Sequence, residues 1–392
     1  MIRRNAVSSN RPHVFVSLCR FLRRQDDRTM TGRYARIAVV VMSCLNLAAC
    51  ASEPVIHVPA RYARDARLVP PDRIITLSDG ARIPVRIWPS SGSERGIILA
   101  LHGFNDSRDA WEMAAPAFAA SGFTLWAPDI RCFGAAPGRE GWPGAGRMVQ
   151  DAVEELTLIV REHADVPLYL MGESMGGAIA MLTMTRPAVA APMPKIAGTI
   201  LLAPAVWKLG PGADIPVRLL AALAPNGRVT GRELPVHVTA SDNIAALRRL
   251  YFDPLTLHST KLVALRGLIA LMSEAADSAG KQHGSELIIY GDHDQLVPVS
   301  AMAQVWRQLP ETVRRDIIPG GHHLLLRDKS GYRVVADILS WLSRPDAPLP
   351  SGGDASAATW ASLHEANPGA NGSADTDPFF LTPSRIDTLT PQ

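Results

Sequence analysis

Cysteine is scarce: the chain of 392 residues holds only Cys19, Cys44, Cys50 and Cys132, and no two fall at zinc-ligand or redox spacing. A cysteine-built zinc site and a C-x-x-C redox pair are thereby excluded. Charge is also sparse, at 20% Asp, Glu, Lys and Arg with a net +3, and it is gathered nowhere into a Lys/Arg block. Without a basic stripe interleaved with aromatics, nucleic acid is not an expected partner. There is no internal repeat. The most apolar early run, residues 37 to 49, falls short of the ~20 residues that a membrane-spanning helix needs. What is abundant is hydrophobic side chain, 47% of the total, enough to bury the core of one large α/β domain.

That early run has a specific order. Arg33 and Arg36 come first, then Ile37 to Ala49, then Cys50, which is the charged, apolar, small-residue sequence of a secretory signal. The ending Leu47-Ala48-Ala49-Cys50 resembles a bacterial lipobox. The resemblance implies that residues 1–49 are a leader and signal peptide, and that Cys50 is lipidated (palmitate) and becomes the first mature residue. It implies a lipid-anchored protein of the bacterial cell envelope. Ala51 and Ser52, with no aspartate after the cysteine, imply sorting to the periplasmic face of the outer membrane where one exists. A start at Met30 gives the signal ordinary length, whereas Met1 adds an oversized basic leader. With Cys50 acylated, Cys132 is the one mature free thiol.

Residues 50–71, with Pro54, Pro59, Pro70 and Pro71, read as a tether. Two alternating segments around Ser78-Asp79-Gly80 predict a hairpin. From Gly96 the pattern becomes apolar runs without period-two alternation, separated by helical stretches: strands at 96–101, 123–126, 166–171 and 196–202, helices at 108–121, 147–163 and 175–185. Strands apolar on both faces with helices between them predict a doubly wound, mostly parallel α/β sheet. Residues 204–283 break the rhythm with helices such as Ile244 to Tyr251 and Thr260 to Ala276 and no convincing strand, and read as an inserted helical lid. The alternation resumes over 284–344. From 345 to 392 Pro, Gly, Ser, Ala and Asp dominate, and a disordered tail is expected.

The chemistry gathers where strands end. The strand closing at Met171 runs into Gly172-Glu173-Ser174-Met175-Gly176-Gly177 and a helix, the strand, sharp turn, helix context that exposes a nucleophilic serine. A G-x-S-x-G alone is weak, since Ser174 would serve equally as a helix N-cap. A nucleophilic serine also needs a base, an orienter for that base and donors for the oxyanion. After the lid, the strand Leu287 to Tyr290 ends in Gly291-Asp292-His293-Asp294, and a carboxylate there faces the catalytic edge of such a sheet. Asp292 and Asp294 compete for the role. A last strand leads to Gly320-Gly321-His322-His323-Leu324, where the base is one of two adjacent histidines.

From about residue 72 to 343 the chain resembles the monoglyceride lipase and lysophospholipase-like branch of the α/β-hydrolases, often grouped with serine aminopeptidases. The carrying residues are Leu101-His102-Gly103-Phe104-Asn105-Asp106, Asp129-Ile130-Arg131-Cys132-Phe133-Gly134, the Ser174 turn, Asp294 and His323. The resemblance implies an eight-stranded sheet with an inserted lid and a catalytic triad of Ser174, Asp294 and His323. It implies oxyanion donors in the Phe104 and Met175 backbone amides and a structural role for His102. Asp292 is left to cap its turn. Cys132 stands where relatives commonly carry glycine. The expected reaction is hydrolysis of a small acyl ester or lipid, such as monoacylglycerol or lysophospholipid, with no metal or organic cofactor. Trp207, Leu209, Tyr251 and Phe252, with Leu219, Leu220 and Leu223, are the expected lining of the acyl site. An aminopeptidase using the same triad would instead need an acid for the substrate amine, from Glu233, Asp242 or Asp253. A non-catalytic envelope lipoprotein is the third reading. Oligomeric state is left open.

Overall fold

The computed structural model describes residues 53–186, 193–210, 212–230 and 238–365, with side chains as far as 361. The signal segment, Cys50, Glu233 and the tail beyond 365 lie outside the described residues.

One eight-stranded sheet organises the molecule. Its strands are β1 (Arg73–Thr76), β2 (Arg82–Trp88), β3 (Gly96–Leu101), β4 (Phe123–Pro128), β5 (Leu168–Glu173), β6 (Gly198–Leu202), β9 (Glu286–Gly291) and β10 (Val313–Ile318). They lie in the order β1-β2-β4-β3-β5-β6-β9-β10. The hairpin β1-β2 and the β2-β4 pair are antiparallel and all other pairs are parallel. Every residue of β3, β4, β6 and β9 is buried, which is why these strands read as continuous apolar runs. Each fully buried aliphatic side chain contributes roughly 1.5–3 kcal/mol of transfer free energy.

Helices cover both faces: α1 (Ala115–Ala120), α2 (Ala145–Glu162), α3 (Met175–Thr185), α4 (Ile215–Leu223), α5 (Ile244–Phe252), α6 (Leu262–Asp277), α7 (Val299–Trp306), α8 (Gly331–Ser343) and α9 (Gly353–Glu365). Leu156 and Ile159 of α2 and Ile179 and Leu182 of α3 pack on Leu99, Leu170 and Leu201. Phe118 of α1 and Ile338 and Trp341 of α8 pack on Ile98, Ile200 and Ile289 from the other side.

Four expectations are corrected. The helix expected over 108–121 is divided into a 3-10 turn, Arg108–Trp111, and α1, with Ser107 capping the turn through the Asp109 amide. The lid region contains strands after all, the short antiparallel pair β7 (Arg228–Val229) and β8 (Thr260–Lys261), and Leu271, Ala275 and Ala276 of α6 pack into the main core. Residues 53–71 do not hang free: Tyr62 stacks on Phe252 at 5.3 Å and Asp65 pairs with Arg248 at 2.6 Å. The tail is ordered as far as α9, because Ala357 and Trp360 join the core beside Trp306, whose ring centre lies 5.2 Å from that of Trp360.

Candidate active site

The loops at the carboxyl ends of β3, β5, β9 and β10 carry the candidate residues. Ser174 follows Glu173, the last residue of β5, and stands at φ 54°, ψ −114° before the first turn of α3. A serine at positive φ is strained, and the neighbours hold it there: its N–H donates to Leu202 O at 2.9 Å, and its carbonyl accepts from Ala178 N at 3.0 Å and Ala205 N at 2.8 Å. Glycine is obligatory around it. A Cβ on Gly172 would overlap the Gly176 carbonyl, and one on Gly176 would overlap Leu101 O at the end of β3.

His323 is 3% exposed and its Nδ1 lies 2.8 Å from Asp294 Oδ2. The other oxygen of Asp294 accepts from Leu296 N at 2.7 Å and Val297 N at 3.0 Å, so the carboxylate is fixed by its own turn. With Nδ1–H donated to Asp294, Nε2 is the nitrogen left to accept a proton. Asp292 does something else: its Oδ1 accepts from Gly320 N at 2.5 Å and ties the β9 turn to the β10 turn. His322 turns to Asp328 Oδ2 at 3.3 Å and packs its ring on His293.

Among the described residues Ser174 Oγ has no hydrogen-bond partner, and the Phe104 and Met175 amides donate to no protein acceptor. Catalytic hydrogen bonds often tighten only once substrate is bound. Gly103 lies beside the nucleophile turn, where a Cβ would stand 3.5 Å from Ser174 Cβ, so the loop bearing Phe104 adjoins Ser174. Phe104 is held by Phe133, ring centres 5.3 Å apart. His102 is fully buried, accepts at Nε2 from Ile130 N at 2.9 Å and so donates Nδ1–H to Gly103 O at 2.8 Å. Burial lowers its pKa and keeps it a neutral brace.

Buried charge unseen in the sequence pattern surrounds these loops. Asp129, fully buried after β4, accepts from Arg108 Nη1, Arg108 N and Ala135 N. Arg327, four residues past His323, reaches both Glu173 and Asp106. The available signal was a carboxylate closing the otherwise apolar strand β5, which requires a buried partner. Cys132 sits at φ 74°, which explains why a glycine suits that position, and burial pushes its thiol pKa up.

Three of the expected acyl-lining residues, Leu209, Tyr251 and Phe252, line spaces that do not include the triad. Tyr251 and Phe252 line an outer groove of about 600 Å³ with Tyr62, Leu247 and His258, because Phe252 stacks on the N-terminal segment. Leu209 lines a cavity of about 450 Å³ between α4 and α6. Neither space includes Ser174, Asp294 or His323. Trp207 is 37% exposed, and Leu219, Leu220 and Leu223 face outward from α4.

The sequence pattern described as serine aminopeptidase, S33, matches residues 92–330, well over half of the chain. The chain belongs to this S33 family. Its fold is that of the α/β-hydrolases. This S33 hydrolase is 27% identical over 271 residues to a monoacylglycerol lipase of Mycolicibacterium smegmatis, covering 67% of this chain and 93% of that protein. It is 22% identical over 279 residues to a monoglyceride lipase of Rattus norvegicus, covering 68% and 88%. Among solved structures, a soluble variant of the monoglyceride lipase of Saccharomyces cerevisiae matches with TM-score 0.60 and 19% identity, over 75% of this chain and 99% of that one. The monoacylglycerol lipase of Paleococcus ferrophilus matches with TM-score 0.55 and 21% identity, over 66% and 98%.

Proposed function

We propose that the protein is a serine hydrolase that cleaves carboxylic esters of lipid-like character, monoacylglycerol or lysophospholipid, through an acyl-enzyme on Ser174. The observation that carries the hydrolytic chemistry is the buried His323–Asp294 hydrogen bond at the same sheet edge as a strained serine turn, and the likeness to monoacylglycerol lipases supports the lipid-ester class. His323 Nε2 takes the Ser174 proton as Oγ attacks the ester carbonyl, and Asp294 holds the tautomer and stabilises the imidazolium. The Phe104 and Met175 amides receive the oxyanion. His323 then gives its proton to the leaving alcohol, and water releases the acid by the same steps in reverse. The scheme calls for no metal or organic cofactor. Cys50, acylated, would anchor the enzyme in the bacterial envelope, in reach of lipid esters.

The family name favours a peptidase, but of the candidate acids for a free amine the two among the described residues, Asp242 and Asp253, are engaged elsewhere. Asp253 pairs with Arg249 at 3.0 Å and accepts from Leu255 N at 2.8 Å; burial, opposed by Arg249, pushes it up to about 6. Asp242 accepts from Lys329 N at 2.8 Å. The test is hydrolysis of acyl-glycerols, lysophospholipids, short p-nitrophenyl esters and aminoacyl amides by wild type and Ser174→Ala. Ester cleavage abolished by Ser174→Ala is the expected result. Cleavage confined to aminoacyl amides, or ester cleavage indifferent to Ser174→Ala, would overturn it. Labelling of Cys50 with a palmitate analogue, lost in Cys50→Ala, tests the anchor.

A further inference from the structure

Three loops of the centre are joined by a single guanidinium. Arg327 Nη2 lies 2.5 Å from Glu173 Oε2 and 2.7 Å from Asp106 Oδ2. Glu173 immediately precedes Ser174. Asp106 closes the turn that carries Phe104: its N–H donates to Gly103 O at 3.3 Å and its Oδ1 accepts from Ser107 N at 2.8 Å. Arg327 itself belongs to the loop of His323, where its N–H donates to Leu324 O at 2.8 Å. Glu173 is 2% exposed, and Arg327 and Asp106 are each 6% exposed. One guanidinium nitrogen, Nη2, therefore links the nucleophile turn, the oxyanion turn and the histidine loop.

We propose that Arg327, with Glu173 and Asp106, is a positioning clamp that sets the mutual placement of Ser174, His323 and the Phe104 amide. The inference rests on the ester-hydrolase reading above, since it presumes those three groups react together. None of the clamp residues has a chemical step to perform. A pair this deeply buried is weak evidence for stability, because the desolvation of both partners offsets their attraction. Its placement is what counts: the contacts join Glu173, next to Ser174, Asp106, two residues past Phe104, and Arg327, four residues past His323. Burial works against the charge on Arg327, and Asp106 and Glu173 more than restore it. Burial likewise raises the Glu173 pKa, with Arg327 opposing. The planar guanidinium matters as well: both contacts are made by Nη2, whose N–H bonds lie in a fixed plane, whereas a lysine ammonium is a rotatable point charge on a flexible stem.

The test uses the full-length protein with Arg327→Met, Arg327→Lys, Glu173→Gln and Asp106→Asn. Three quantities are read: kcat and KM on p-nitrophenyl butyrate, the rate of Ser174 labelling by a fluorophosphonate, and the melting temperature. A misplacement near 1 Å costs about 100-fold. Arg327→Met should therefore lose about 10- to 100-fold in kcat and in labelling rate, with KM within about twofold because the clamp touches no substrate. Arg327→Lys should recover part of the loss. Should Arg327→Met fail to fold, Glu173→Gln and Asp106→Asn, which keep size and an acceptor oxygen, carry the test with the same kcat-against-KM signature. Folded variants with wild-type kcat and labelling rate would overturn the clamp, as would a loss that resides in KM. The labelling rate is read whether or not the ester panel succeeds. A protein that labels at Ser174 but cleaves no ester would sink the ester reading while the variants still judge the clamp.

Discussion

The two ends of β9 hold carboxylic acids of opposite fate. At its start, Glu286 is 1% exposed, and among the described residues neither carboxylate oxygen has a hydrogen-bond partner; burial alone pushes its pKa to about 8. Just past its end, Asp294 is nearly as buried but takes three donors, Leu296 N, Val297 N and His323 Nδ1. The strand is the same and the depth is similar. The difference lies in what rises around each end. At the carboxyl edge of a parallel sheet the chain turns out of the strands and presents free N–H groups and loop side chains. At the amino end, Glu286 sits in register with Thr199 and Val313, between paired strands whose amides are already engaged. A buried carboxyl group finds donors where loops surround it and none where packed strands do.

The largest expected effect comes from Asp294→Asn. An amide there still accepts from the Leu296 and Val297 amides, but facing His323 it favours the wrong tautomer, and kcat should fall about 10³- to 10⁴-fold on an ester substrate. A loss under tenfold would mean that the orienting acid lies elsewhere.

Glu286→Gln probes the other end, where no catalytic loss is expected. The folded value of about 8 lies above the ordinary 4.5, so the folded protein keeps a proton that the unfolded chain gives up. The sign follows: stability from this group is fully present below pH 4.5 and drains away as pH rises to about 8. At about 1.4 kcal/mol per unit the interval sets a ceiling of about 5 kcal/mol. Glutamine removes the titration, so the variant should gain on wild type by up to about 4 kcal/mol between pH 4 and pH 8. Melting curves at the two pH values check this, and parallel curves would show that Glu286 has a partner.

How far the sequence disclosed this arrangement depended on distance along the chain. The serine turn, the two candidate acids and the two candidate histidines were legible because each motif lies within a few residues of a strand end. The choice of Asp294 and His323 came from resemblance, and the geometry adds the 2.8 Å contact between them. Arg327 was invisible, since its partner Glu173 lies 154 residues away and no local pattern links them. The C-terminal helix was missed for a different reason. Its Ala- and Ser-rich composition offers little apolar surface, and it is held chiefly where Trp360 meets Trp306 and Ala357 enters the core. Tyr62 and Asp65 likewise lie in a proline-bearing stretch, and only the lid helix α5 gives them a seat.

Asp292→Asn is the smallest expected effect and the sharpest control, because Asp292 stands two residues from Asp294 at the same strand end. Its Oδ1 accepts from Gly320 N at 2.5 Å, whereas Oδ2 has no partner among the described residues. Burial raises its pKa, with His293 and the Gly320 amide opposing. Asparagine can present the same acceptor to Gly320 and removes the ionisation that burial disfavours. Stability should move by under about 1 kcal/mol, tilting in the variant's favour as pH rises, since a raised folded pKa makes the native acid progressively costlier above its unfolded value. Activity should stay within about threefold, because a neutral cap that keeps its hydrogen bond leaves the histidine loop in place. If Asp292→Asn instead cost as much activity as Asp294→Asn, the two acids would act as one unit, and the division between a carboxylate that orients the base and one that only fastens a turn would fail.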